Sequence, residues 1–165
     1  IRIMNSAFNK ITKNFDDYYP SNLRPEIDKI NKITYENINN GVYKSGFSKT
    51  QSAYEDAVKK LFSSLEMIDE ILTGKEYLVG NQLTEADIRL IPTLLRFDSV
   101  YHVHFKCNLK KISEFKNISH YVKKLFNIPA IHSTTDFDHI KRHYYFSHEN
   151  INPNRIIPLG PEKPF

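Results

Sequence analysis

"YLVGNQLTEADIRLIPTLLRFDSVY", Tyr77 to Tyr101, is the stretch on which the reading of the fold turns. At Leu83-Thr84-Glu85-Ala86-Asp87-Ile88 the spacing is that of a reciprocal cap. The Thr84 hydroxyl can accept from the Asp87 N–H while the Asp87 carboxylate takes the Thr84 N–H, and Leu83 and Ile88 stand where a hydrophobic staple closes the turn. A helix therefore starts here. Leu90, Ile91, Leu94 and Leu95 leave it little polar face, so it is expected to be buried on most sides, and Pro92 should kink it by deleting one backbone hydrogen bond. Loss of such a cap costs about 0.5–2 kcal/mol. Thr84 and Asp87 are accordingly assigned to structure, as an N-cap, and not to chemistry.

A central buried helix needs neighbours, and the flanking sequence supplies them. Upstream, Pro25 suits a first helical turn, where its missing N–H would have no intrahelical partner, and Ile27, Ile30, Ile33 or Thr34, and Ile38 follow. Asn39, Asn40 and Gly41 are expected to stop this helix, with Gly41 in the left-handed terminal position. Ser48 and Gln51 have capping-box spacing before a long amphipathic run, Val58, Leu61, Leu65, Ile68 and Leu72, that Gly74 ends. Downstream, helices are predicted over Ser119–Asn127 and from Thr135 to about Ser147. The opening Ile1, Met4, Phe8 and Ile11 share a helical stripe with no cap before it, as though the natural chain were longer at this end. The proline-rich "NINPNRIIPLGPEKPF" should run over the surface as an extended segment. No stretch sustains strand alternation. The predicted class is all-α, a packed bundle of about six helices spanning 1–150, with 151–165 as an extended tail packed on it.

Composition narrows the function classes. With 165 residues, 40% hydrophobic and 13% aromatic, the chain is expected to fold as one domain. Its net charge of +4 comes from Lys and Arg scattered among acids, without the basic cluster or base-reading motif of a nucleic-acid binder. No apolar run reaches the ~18 residues of a membrane span. One cysteine, Cys107, cannot form an internal disulfide, and no secretory signal pattern is present, so a soluble protein of the reducing cytosol is expected.

Several residues invite a chemical role. Tyr43, glycine-bracketed in "NNGVYKSGF", either packs between helices or meets a ligand. "HYY", His143 to Tyr145, poses the same choice, and because successive helical residues point about 100° apart, only one of Tyr144 and Tyr145 can face a given cleft. Cys107 lies near His102 and His104, yet a lone cysteine commonly serves as a small buried apolar residue. His139 and His143 have the i, i+4 spacing of zinc ligands but lack a His-Glu-x-x-His pattern, and no metal is expected.

"YLVGNQLTEADI" resembles the C-terminal helical domain of glutathione transferases. "NNGVYKSGF", "TEADIRLIPTLLRFDSVYHVHFKCN", "IKRHYYFSH" and "INPNRIIPLGP", in that order, are more narrowly similar to the xi class, the glutathionyl-hydroquinone reductases. The resemblance implies a partner thioredoxin-like domain, lacking here, that carries the nucleophilic cysteine and most of the glutathione site. Its thiolate would attack the sulfur of an S-glutathionyl-hydroquinone, free the hydroquinone, and be regenerated by a second glutathione. On this resemblance Tyr43 and Tyr144 correspond to acceptor-site tyrosines, Tyr144 being the better match than Tyr145. Glutathione is then the co-substrate, a glutathionyl-quinol or similar aromatic molecule the partner, and a homodimer the expected assembly. No catalytic residue is expected within these 165 residues, which alone should be nearly inactive. The rival expectation is a glutathione-transferase-like module for protein association, for which two converging phenols would have no use.

Overall fold

The computed structural model describes residues 1–165 and contains helices and no strands. Six helices build the bundle: α1 (Arg24–Ile33), α2 (Asn40–Gly46), α3 (Gln51–Ile71), α4 (Glu85–Arg96), α5 (Lys116–Phe126) and α6 (Phe137–Ser147). Helix α4 is central: Ala86, Leu90 and Leu94 are fully buried, and α1, α5 and the turn before α2 pack around it. The all-α expectation is met.

The cap of α4 does more than the sequence suggested. Asp87 Oδ2 accepts the Thr84 N–H at 2.8 Å, as the box requires, and the Thr84 hydroxyl donates to the same oxygen at 2.9 Å. Asp87 Oδ1 also accepts the Leu78 N–H at 2.9 Å and the Tyr121 hydroxyl at 2.8 Å, so one carboxylate joins the incoming loop, α4 and α5. At Glu85, also buried, the carboxylate takes Arg89, Arg2 and Asn31. Past Pro92 the helix widens into a π turn, Phe97–Tyr101, and ends in one more turn, His102–His104.

Local expectations failed where a distant residue completes the structure. The helix expected to stop at Asn39–Gly41 runs on: a π turn, Thr34–Asn39, joins α1 to α2, so Tyr43 lies within a helix. Asn39 is held by donating to the Arg89 carbonyl at 2.8 Å, and Gly41 lies inside the helix, where a Cβ would meet Leu61 at an ordinary contact distance of 3.6 Å. The N-cap of α3 is Thr50, accepting the Ala53 N–H at 3.3 Å, in place of the Ser48–Gln51 box; Gln51 donates to Glu55 instead. Helix α5 starts three residues before Ser119 because Asp69, from α3, accepts the Asn117 and Ile118 N–H groups at 2.9 and 2.8 Å. Helix α6 starts at Phe137, capped by Asp136. A short helix, Pro129–Ser133, lies between α5 and α6.

The opening stripe forms two short turns, Arg2–Asn5 and Asn9–Thr12, with Ile1, Met4, Phe8 and Ile11 exposed. Residues 148–165 contain no helix, and Ile151, Ile157 and Phe165 rest against the core.

Candidate functional site

Tyr43 from α2, Tyr101 from the π turn after α4, and Tyr144 from α6 meet at their hydroxyls. Tyr43 and Tyr144 lie 2.7 Å apart, and Tyr101 and Tyr144 2.8 Å. Of the three, Tyr101 is 2% exposed, Tyr144 8% and Tyr43 39%.

Burial gives this chain of phenols a direction. The Tyr101 hydroxyl lies within hydrogen-bond distance of Tyr144, and donating there spares its buried proton a cost of about 1–3 kcal/mol. Tyr144, having accepted, donates onward to Tyr43. The Tyr43 proton is then free at the exposed end. Burial raises Tyr101 far above the ordinary phenol range and pushes Tyr144 up to about 12, the latter tempered by its hydrogen bond from Tyr101 and by the charge of Arg96. Both buried phenols stay neutral at physiological pH.

The rings are aligned by Phe105, whose centroid lies 5.3 Å from Tyr43, 5.4 Å from Tyr101, with which it stacks, and 6.0 Å from Tyr144. Gly46 makes room for it. A Cβ built at Gly46 would fall 2.2 Å from the Phe105 ring, so no other residue fits without displacing that ring. Both glycines bracketing Tyr43 lie in the helix and not in a loop, and Gly46 is the one that packing requires.

Asn39, Asn40, Tyr43, Pro92, Arg96 and Tyr144 surround a cleft of about 310 Å³ on which the phenols open. A second hollow of about 300 Å³ lies across Arg96 and Tyr144, toward His139 and His143. The largest cavity, about 530 Å³, is an apolar trough between α4 and the segment Ile128–Ile140, adjoining the phenol cleft at Pro92 and Arg96.

Of the residues singled out in the sequence, Tyr43 and Tyr144 are brought together and Tyr145 is not: its ring packs 4.5 Å from His104, and its hydroxyl has no partner. Cys107 is fully buried, and burial raises its thiol to about 12, away from the thiolate that nucleophilic chemistry needs. Thr84 and Asp87 lie in the cap, apart from the phenols. No group of three or more His, Cys, Asp or Glu side chains is close enough to hold a metal.

Sequence reading missed Tyr101, Arg96 and Phe105. Tyr101 continues the apolar stripe of Leu94 and Phe97, so its period marks it as core; only the tertiary meeting with Tyr144 gives its hydroxyl a role. It also missed the pair His104 Nε2 and His148 Nδ1, 3.0 Å apart, stacked beside Phe105.

Comparison with known proteins agrees with this architecture. The family described as glutathione S-transferase, C-terminal domain, matches residues 51–124. Its fold is that of a glutathione transferase C-terminal helical domain. Within the glutathione transferases its similarity is to the xi class. It is 54% identical over 164 residues to the glutathionyl-hydroquinone reductase PcpF of Sphingobium chlorophenolicum, an alignment covering 99% of this chain and 52% of that protein. Among solved structures, the glutathione-bound YqjG, a glutathione transferase homologue from Escherichia coli K-12, superposes with a TM-score of 0.95 at 48% identity, covering 98% of this chain and 53% of that one. The xi glutathione transferase of Phanerochaete chrysosporium gives 0.96 at 50% identity, covering 99% and 54%. The domain thus spans about half the length of these relatives. No helix in it is long and apolar enough to cross a membrane.

Proposed function

We propose that this domain, residues 1–150 with 151–165 as its packed tail, supplies the acceptor site of a xi-class glutathionyl-hydroquinone reductase. The observation that carries this reading is the chain of phenol hydroxyls from Tyr101 through Tyr144 to the exposed Tyr43. The similarity to PcpF, named for that reaction, supports it.

In the proposed reaction a cysteine thiolate on a thioredoxin-like domain attacks the sulfur of a glutathionyl-hydroquinone. A disulfide forms between cysteine and glutathione, the sulfur–carbon bond breaks, and its electron pair leaves with the aromatic ring. The ring carbon must then gain a proton. Tyr43, the exposed end of the chain, orients the hydroquinone oxygen and can deliver that proton, regaining one from solvent. Tyr144 and Tyr101 hold Tyr43 in place and, by donating toward it, polarise its O–H. A second glutathione thiolate attacks the mixed disulfide, releasing glutathione disulfide and regenerating the cysteine thiolate. Without a nucleophile the helical domain alone binds but does not turn over. The assembly is taken to be a cytosolic homodimer, as implied for the family.

The test is thiol-transferase activity with glutathione and a glutathionyl-hydroquinone. It compares these 165 residues with the longest product encoded upstream in the same reading frame. Activity in the longer product alone is expected. Turnover by the 165 residues, or activity in neither, counts against the reading.

A further inference from the structure

Six arginines occur in the chain, and Arg96 stands apart from the others. Arg2, Arg89, Arg142 and Arg155 pair with carboxylates, and Arg24 lies over the Tyr19 ring. Arg96 is half-buried at the end of α4, and its one hydrogen bond runs from Nη1 to the Pro92 carbonyl at 2.7 Å. A guanidinium has five N–H donors, so most of its fork is unused. Arg96 is also the one residue shared by the three adjoining hollows, and the only charged side chain around the phenol cleft. Across it, His139 and His143 add no negative charge. Asp136, which borders the largest cavity, is turned to the His139 N–H at 3.0 Å. A partly desolvated cation without a counter-ion, beside a donor chain for an aromatic hydroxyl, is a ready partner for an anion carried on the same ring.

We propose that Arg96 is a specificity-determining residue: it selects hydroquinone conjugates whose ring bears an ionised substituent, such as a carboxylate, and seats that group in the hollow beside Tyr144. This rests on the acceptor-site reading above. A hydroquinone oxygen on Tyr43 leaves the ring's substituent directed along the cleft toward Arg96, where two parallel N–H···O bonds can form. A neutral ring gains nothing from the guanidinium. The competing account makes Arg96 a helix-terminal cation that favours the exposed carbonyls of α4. It predicts an effect on stability and none on ligand choice.

The experiment measures binding to the 165-residue chain at pH 7, by calorimetry or NMR titration, of 2,5-dihydroxybenzoate and its methyl ester. The two probes differ in charge and little else. The acid should bind about tenfold more tightly, the scale of a charge-assisted hydrogen bond at a partly exposed site. Arg96→Met should reduce the preference to about twofold or less while leaving the ester unchanged. Arg96→Gln, which keeps a donor for the Pro92 carbonyl, should do the same, and guards against a folding defect in the first variant. Equal binding of both probes, with both weakened by Tyr43→Phe, overturns the role of Arg96 and leaves the acceptor site standing. A preference for the acid that survives in both Arg96 variants overturns it in favour of His139 and His143. Failure of both probes to bind overturns both readings.

Discussion

Asp87 and Tyr144 each tie three segments together from a buried position, and they differ in what is left over. The Asp87 carboxylate takes four protons, from Leu78, Thr84 twice and Tyr121, all supplied from within the fold. The phenol chain through Tyr144 starts in the core at Tyr101 and ends at the 39% exposed Tyr43 with one donor unspent. A closed network can only hold the structure, whereas an open-ended one can hold it and also meet a ligand.

The largest effect should come from breaking the closed network. Asp87→Ala removes the cap of α4 and strands the buried Tyr121 hydroxyl and Leu78 N–H, costing together about 4 kcal/mol. Urea unfolding should show a lower midpoint at unchanged slope. Tyr43→Phe, at the open end, should stay within about 0.5 kcal/mol of the parent. A cost below about 1 kcal/mol for Asp87→Ala would erase the distinction between the two networks.

The two networks also differed in how far the sequence revealed them. The cap is local: Thr84 and Asp87 are three residues apart, and the hydroxyl, the carboxylate and the following apolar period are all written in one stretch. The phenol chain joins residues separated by 101 and 43 positions, and no local pattern distinguishes Tyr101 from a core aromatic. Tyr43 and Tyr144 were named through family resemblance. The errors in helix ends have the same cause. Asp69 caps a helix nearly fifty residues away, and Gly41, which looks like a stop, lies inside a helix that packs on Leu61. Residues whose partner lies within one turn were legible; residues completed by another segment were not.

Acid should separate the two regions next. Neither Tyr101 nor Tyr144 titrates below neutrality, and the histidines beside them whose folded values are shifted are the paired His104 and His148. Burial holds His104 down at about 4, with the neighbouring charges of His148 and Lys106 adding to it, and burial also lowers His148. A histidine that must stay neutral when folded costs stability once the unfolded chain can bind a proton and the folded one cannot. That loss begins as pH falls below about 7, through the unfolded value near 6.5, and is complete near 4. It amounts to at most about 3 kcal/mol for His104. His104→Asn should flatten the stability profile over this range. An unaltered profile would mean that the pair is not held neutral.

Gly46→Ala strikes the open network from behind. The added methyl would sit against the Phe105 ring, and overpacking of this kind costs about 2 kcal/mol. Because Phe105 aligns the three phenols, binding of 2,5-dihydroxybenzoate methyl ester should weaken as well. The equivalent change at Gly41, where a Cβ meets Leu61 at ordinary contact distance, should be nearly neutral. Loss of stability without loss of binding at Gly46→Ala would separate Phe105 from the phenols.

The finest test concerns the direction of the phenol chain, and it predicts a crossing. Tyr101→Phe deletes a buried hydrogen bond and should cost about 1 kcal/mol in stability. It leaves Tyr144 donating to Tyr43, and the Tyr43 proton still free. Affinity for the dihydroxybenzoate ester should fall by about twofold or less, the part contributed by cooperative polarisation. Tyr43→Phe reverses the order. It should barely change stability, because the hydroxyl it removes is the exposed end, yet it deletes the ligand's donor and should weaken the ester about tenfold, the scale of one hydrogen bond. If the chain ran the other way, from Tyr43 inward, Tyr43 would have no free proton, and Tyr43→Phe would be felt no more strongly in binding than Tyr101→Phe. The order of the two variants in two measurements therefore reads out which end of the network is open, independently of the size of either effect.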